Sequence, residues 1–149
     1  MAVVTDRHSD NRADNDMVRV VQLSDTHFLE SGHEPEGGFG YDTYAAFEAV
    51  LADVERSADQ PDLVVVTGDV ADHGRVEQYR LAADAFARFK MPVNVCPGNH
   101  DQDAAFTASI GRPGVATSRV LSAGAWGFLF VDSNAGVMVP SAAGRHVDP

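Results

Sequence analysis

Two carboxylates, two imidazoles and a carboxamide stand in three short polar clusters, and together they make a metal-donor set rather than a nucleophile–base pair. The clusters are Asp25-Thr26-His27, Gly68-Asp69 and Gly98-Asn99-His100-Asp101. Asp-x-His sets a hard oxygen beside a borderline nitrogen, a mixture that suits Mn²⁺, Fe or Zn²⁺ better than Ca²⁺ or Mg²⁺ alone. No cysteine adjoins that pair, which argues against a structural zinc site. Asp69 directly follows a glycine, so both its oxygens can be offered, one to each of two ions. Asn99 adds a neutral carbonyl oxygen for the second. Two ions about 3.5–4 Å apart hold a hydroxide between them and stabilise in-line displacement at phosphorus. His100 is placed to protonate a leaving alkoxide or to bind a phosphoryl oxygen. Asp101 is expected to orient that imidazole. The metal candidates are therefore Asp25, His27, Asp69 and Asn99, and the catalytic candidates His100 and Asp101.

Residues so far apart in sequence meet only if the fold gathers them. Each cluster follows an apolar run that reads as a buried strand: residues 18–24, 63–67 and 93–97. In an open parallel sheet the carboxyl ends of the strands face one edge, where ligands bind. Between the runs lie two helical patterns. After a potential N-cap at Asp42, Tyr44, Phe47, Val50, Leu51 and Val54 recur at helical spacing to about Ala58. A second pattern, Val76 to Lys90, places Tyr79, Ala82, Ala83, Phe86 and Phe89 on one face. Those aromatic stripes read as core packing. The order β-α-β-α-β implies a parallel sheet with crossover helices. A short helix is expected over 104–110, a turn at Gly111-Arg112-Pro113-Gly114, and a β-hairpin from Arg119-Val120-Leu121 and Trp126 to Val131.

Taken singly, each cluster has an ordinary explanation as a cap, a turn or a helix start. Three of them after three strands of this architecture make chance a poor one. The 149 residues suffice for one domain with a sizeable core. An excess of 22 Asp+Glu over 11 Lys+Arg gives a net charge of −11, which disfavours a general nucleic-acid binder. Residues 1–16 are polar and read as a disordered leader, leaving 17–149 as the domain. The glycine-bearing loop over 30–40 is long for a routine connection and reads equally as a substrate rim or a surface excursion. Cys96, the single cysteine, reads as a small buried residue. With no apolar run long enough for a membrane span and no signal-peptide pattern, a cytoplasmic protein is expected.

On these residues the chain resembles the N-terminal part of the calcineurin-like metallophosphoesterases, and among them the bacterial cyclic-nucleotide phosphodiesterase branch. The resemblance rests on Ser24-Asp25-Thr26-His27, on Thr67-Gly68-Asp69-Val70-Ala71-Asp72 and on Pro97-Gly98-Asn99-His100-Asp101, with Phe130-Val131-Asp132-Ser133-Asn134 similar to the following strand and turn. It runs from about Val18 to Asn134. It implies an α/β fold of the four-layer α/β/β/α sandwich type, represented in part. It also implies two divalent or trivalent metal ions (Fe, Mn or Zn) and hydrolysis of a phosphodiester, such as a cyclic nucleotide, by a metal-bridged hydroxide. By the same resemblance Asp25 and His27 hold one ion, Asp69 bridges, Asn99 holds the other, and His100 assists the phosphate.

Family members carry further histidines in a Gly-His and a Gly-His-x-His segment beyond the matched positions. This chain has neither, and His146 in Gly144-Arg145-His146-Val147 fits neither pattern. Two function classes therefore stand side by side. One is a phosphoesterase acting on a small phosphodiester or phosphomonoester. The other is an inactive remnant or interaction module that dimerises or binds metal weakly. A repair phosphoesterase would share the same motifs. The apolar face of the first sheet is expected to lie uncovered and to call for a second copy or a C-terminal complementing chain.

Overall fold

The computed structural model describes residues 3–4, 17–30 and 42–132. In chain order they form β1 (Val3–Val4), β2 (Val20–Leu23), α1 (Thr43–Arg56), β3 (Leu63–Thr67), α2 (Val76–Phe86), β4 (Val93–Cys96), α3 (Asp103–Ser109), β5 (Val115–Ala116), β6 (Val120–Ala123) and β7 (Trp126–Leu129). Strands β2, β3, β4 and β5 lie side by side and parallel, in sequence order. The expected β-α-β-α-β unit is therefore present, extended by α3 and β5. Val3 and Val4, inside the stretch read as a leader, pair antiparallel with β2. The rest of that leader, residues 31–40 of the glycine-bearing loop and His146 fall outside the described residues.

Strand alternation sends Val21, Leu23, Val64, Val66, Val93 and Val95 to one face, where all six are buried in a single core. The helices supply its other half: Phe47, Leu51 and Val54 from α1, and Tyr79, Ala82, Ala83 and Phe86 from α2. The aromatic stripes are core packing, as expected. The start of α1 is fixed by Asp42, whose carboxylate accepts the Ala45 N–H at 2.9 Å. Its end is closed by Gln60, whose amide donates to the carbonyls of Val54 and Ser57. Helix α2 stops at Phe86, four residues before the expected end. There the chain tightens into i→i−3 bonds, Arg88 to Ala85 and Phe89 to Phe86. The tighter turn carries Phe89 into the core, 5.9 Å from the ring of Phe47.

The opposite face of the sheet differs from expectation. Leu63 and Val65 point to it by alternation, yet they are only 1% and 8% exposed. Asn94, on the same face of β4 and fully buried, is bonded through both ends of its amide to the backbone of Ser118, at 3.1 and 2.9 Å. The segment leading into the β6–β7 hairpin is thereby pinned over this face. The exposed large apolar side chains are instead Val120, Trp126, Leu129 and Val131, on the hairpin and just after it. Among the described residues, no helix is long and apolar enough to cross a membrane.

Candidate metal centre

The register Leu23↔Val66 and Thr67↔Cys96 brings the carboxyl ends of β2, β3 and β4 level, so the three polar clusters leave the sheet at one edge. The loops after β2 and β3 stay zipped beyond the strands. Asp25, His27 and Phe28 donate their N–H groups to the carbonyls of Gly68, Asp69 and Val70 at 3.1, 3.0 and 2.9 Å. Phe28 anchors the pair: it is fully buried, 5.4 Å from Phe47 and 5.7 Å from Phe86. The residue after His27 is thus a core plug, which couples the packing of α1 and α2 to the position of the imidazole.

The loops after β3 and β4 meet even more closely. A Cβ on Gly68, whose φ is +105°, would lie 2.7 Å from the Cα of Gly98. A Cβ on Gly98 would lie 2.3 Å from both the N and Oδ1 of Asp69. Glycine is required at both positions for this approach. The same Oδ1 accepts the backbone N–H of His100 at 3.0 Å.

Three non-glycine residues among those described have positive φ: Asp25 at 58°, His27 at 42° and Asp69 at 51°. Left-handed backbone is uncommon outside glycine and clusters where a site needs it. These same three residues bring donor atoms within 4.8 Å of one another. Nε2 of His27 lies 4.0 Å from Oδ1 of Asp25. The Asp25 carboxylate is well exposed while His27 is largely covered, so one donor faces solvent and one backs the site. Two carboxylates and an imidazole at this spacing fit a borderline cation of the Mn²⁺, Fe or Zn²⁺ kind. Asn99 lines the same cavity as Asp25 and Asp69, on the β4 side.

Behind the donors sits Asp72, buried, the last residue of the second matched motif, to which the sequence assigned no role. Its Oδ1 lies 3.1 Å from Nδ1 of His27, its Oδ2 lies 2.9 Å from Nδ1 of His73, and its carbonyl oxygen lies 3.0 Å from Nδ1 of His100. One residue therefore orients the imidazoles of His27 and His100, which meet edge to face at 4.8 Å. His27, Asp72 and His100 also bring donors within 4.8 Å of one another. Since Asp72 meets Nδ1 of His27 with Oδ1 and Nδ1 of His100 with its backbone carbonyl, this group is the hydrogen-bonded support of the centre rather than a second one.

The expectation that Asp101 orients His100 is corrected. The two Asp101 oxygens accept the N–H groups of Gly98 at 2.7 Å and of Val70 and Ala71 at 3.1 Å each. The carboxylate staples the loop after β3 to the loop after β4. Burial pushes its pKa up, against the pull of those three N–H groups and the Tyr79 hydroxyl. Consecutive side chains on a turn point apart, so adjacency in sequence to His100 does not become contact. Asp72 carried one usable signal, its place three residues after Asp69 at a strand end. The strained backbone of Asp25, His27 and Asp69 carried none beyond the known tolerance of Asp and His for that region.

The cavity at this edge has a volume of about 360 Å³. Its lining includes Asp25, Asp69 and Asn99 together with Cys96, Phe130 and Val131. Cys96 is half-buried, and burial raises its thiol pKa, helped by the carboxylate of Asp132.

Comparison with known proteins identifies the family. The model of the calcineurin-like phosphoesterase family matches residues 18–135. The 3',5'-cyclic adenosine monophosphate phosphodiesterase CpdA of Escherichia coli (strain K12) is 32% identical over 117 residues, 78% of this chain and 42% of that protein. CpdA of Pseudomonas aeruginosa is 30% identical over 135 residues, 90% of this chain and 48% of its own length. The glycerophosphodiester phosphodiesterase GpdQ of Enterobacter lignolyticus is 34% identical over 87 residues, 58% of this chain and 31% of that protein. The chain spans less than half the length of these relatives. The family match runs from β2 to just past β7 and includes all three polar clusters, and on that ground the chain belongs to the calcineurin-like phosphoesterase family.

Proposed function

We propose that this chain carries the first metal-binding half of a phosphodiesterase centre, with a cyclic nucleotide as the substrate. The observation that carries this reading is the coincidence of the three left-handed residues, Asp25, His27 and Asp69, with the three donors that converge within 4.8 Å. Asp25 and His27 would hold one ion, Asp69 would be shared with a second, and Asn99 would serve that second ion. When bound, the ions supply Lewis-acid stabilisation of the charge that builds on the phosphoryl oxygens. His100, with its Nδ1–H committed to the Asp72 carbonyl, would act in its imidazolium form, giving its Nε2 proton to the leaving alkoxide and becoming neutral, or donating a hydrogen bond from Nε2 to a phosphoryl oxygen. Asp101 serves this site by holding two loops together rather than by touching substrate. Relatives named for cyclic AMP and for glycerophosphodiesters both support a phosphodiester over other phosphate esters.

Hydrolysis of bis(p-nitrophenyl) phosphate with Mn²⁺, alongside calorimetric Mn²⁺ binding, tests the reading. Binding that Asp25→Ala abolishes is the expected result, and turnover in any form of the protein should vanish with the same substitution. Failure to bind Mn²⁺, Fe²⁺ or Zn²⁺ would overturn it. The exposed Val120, Leu129 and Val131 favour a second reading, an interaction module in which the hairpin docks on a second copy or a complementing chain. Concentration-dependent association without metal binding would select that one.

A further inference from the structure

We infer that Tyr79, buried in the first turn of α2, is a positioning residue of the metal centre. Its hydroxyl holds the loop after β4 against the loop after β3 and so sets the distance between Asp69 and Asn99. This inference rests on the phosphodiesterase reading and adds to it a residue outside the donor set. Its ground is what the phenol oxygen touches. That oxygen accepts the backbone N–H of Gln102 at 2.7 Å. Its own proton goes to the carboxylate of Asp101. A phenol has one proton to give, so it is fully committed as a donor. Asp101 in turn accepts from Gly98 on one loop and from Val70 and Ala71 on the other. Of the four groups that bond this carboxylate, the hydroxyl alone comes from outside the two loops.

Packing accounts for the ring of Tyr79 but not for its oxygen. The ring is fully buried and meets Phe106 edge to face at 5.6 Å, a place that phenylalanine would fill equally well. The residue before it reaches the other loop. Gln78, also buried, accepts the N–H groups of His73 and Arg75 on its side-chain carbonyl, at 3.0 and 3.2 Å. Two adjacent residues of α2 thus bracket the loop after β3 and the loop after β4. The loops touch again at Gly74, where φ is +63° and a Cβ would lie 2.6 Å from Cγ of Gln102. The two ion positions depend on this bracket differently. Asp25, His27 and Asp69 belong to the loops after β2 and β3, which backbone bonds zip together without Tyr79. The pairing of Asn99 with Asp69 spans the seam that Asp101 closes. Removing the phenol oxygen leaves the Gln102 N–H without its acceptor and the carboxylate with one donor fewer, and both losses loosen that seam.

The test compares Tyr79→Phe with Phe106→Leu by calorimetric Mn²⁺ titration, at a temperature where circular dichroism shows both to be folded. Phe106→Leu loosens the same ring contact and keeps the hydroxyl. Tyr79→Phe is expected to weaken the second, weaker step about tenfold, the low end of the cost of losing an outer partner of a metal site. The tighter step, from Asp25, His27 and Asp69, should stay near its unmodified value. Phe106→Leu should lower the urea midpoint and leave both steps in place. In the unmodified protein, the Tyr79 Cζ and Gln102 amide resonances should move with the second step of a Zn²⁺ titration, which reads the coupling without a variant. A second step that is the same in Tyr79→Phe as in the unmodified protein would overturn the inference and leave the metal centre standing. Equal losses at both steps in the two variants would do the same, making Tyr79 a packing residue. Resonances that stay fixed through the second step would also overturn it. No binding of Mn²⁺ or Zn²⁺ by the unmodified protein would overturn the phosphodiesterase reading and this inference with it.

Discussion

The carboxylate of Asp72 stands 3.1 Å from Nδ1 of His27, on the far side of the ring from Asp25. A neutral imidazole that donates from Nδ1 keeps its lone pair on Nε2. The contact therefore turns the coordinating nitrogen of His27 toward Asp25, 4.0 Å away. Because the Asp72 carbonyl also accepts from Nδ1 of His100, one buried residue sets the direction of both rings. Asp72→Ala is expected to weaken Mn²⁺ binding about 10–100-fold, the usual cost of losing such a support. Calorimetric titration measures it, and an unchanged affinity would mean that His27 is aimed by its backbone alone.

Gly98 gives the sharpest steric prediction. A Cβ there would lie 2.3 Å from the N and Oδ1 of Asp69 and 3.0 Å from its Cγ. Neither the backbone nor a carboxylate held by the His100 N–H can yield that space without moving the loop after β3. Gly98→Ala is therefore expected to destabilise the fold by about 1–3 kcal/mol, in the range of forced overpacking, and to displace the Asp69 carboxylate. Urea denaturation reports the first effect and Mn²⁺ titration the second. An alanine variant with wild-type stability and affinity would show that the two loops can separate at little cost.

Much of this arrangement is legible from residue types. The apolar runs before Asp25, Asp69 and Asn99 specify strands, the intervening periodicity specifies helices, and parallel strands deliver their following residues to a common edge. What sequence does not carry is direction within a loop. Asp101 follows His100 directly, yet its carboxylate turns back to Gly98, Val70 and Ala71, while the imidazole is held by a residue twenty-eight positions earlier. The left-handed backbone at Asp25, His27 and Asp69 is likewise imposed by the zipping of one loop on another. Burial of Leu63 and Val65 agrees with the unbroken apolar run over 63–67, which reads as a buried strand.

Cys96 offers a pH-dependent check on the cavity lining. Burial of the thiol raises its pKa, and the Asp132 carboxylate raises it further, because both disfavour the thiolate. Since the thiolate is the nucleophile, alkylation by iodoacetamide is expected to be slow at neutral pH. Its rate should climb only as the pH passes above the ordinary thiol range. Asp132→Asn removes the smaller of the two causes, so the midpoint should move down without reaching that of a free thiol. A reactive Cys96 at neutral pH would place it in open solvent or beside a cation, contrary to the geometry.

Asp69 and Asn99 can be separated by their charge. Both line the cavity, and Asp69 also brings a donor within 4.8 Å of those of Asp25 and His27; under the proposed reading it serves both ions. A carboxylate shared by two cations offsets charge at each, whereas a carboxamide gives one ion a neutral oxygen. Asp69→Asn keeps the shape and the hydrogen-bond acceptor for the His100 N–H while removing the charge. It is therefore expected to lower the Mn²⁺ retained after dialysis at both positions. Asn99→Ala should lower retention at the second position and leave the first near wild type. A titration of the unmodified protein should show two unequal steps, the tighter one belonging to Asp25, His27 and Asp69. Equal retention in the two variants would mean that Asp69 serves a single ion, and the second position would then lack a carboxylate from this part of the chain.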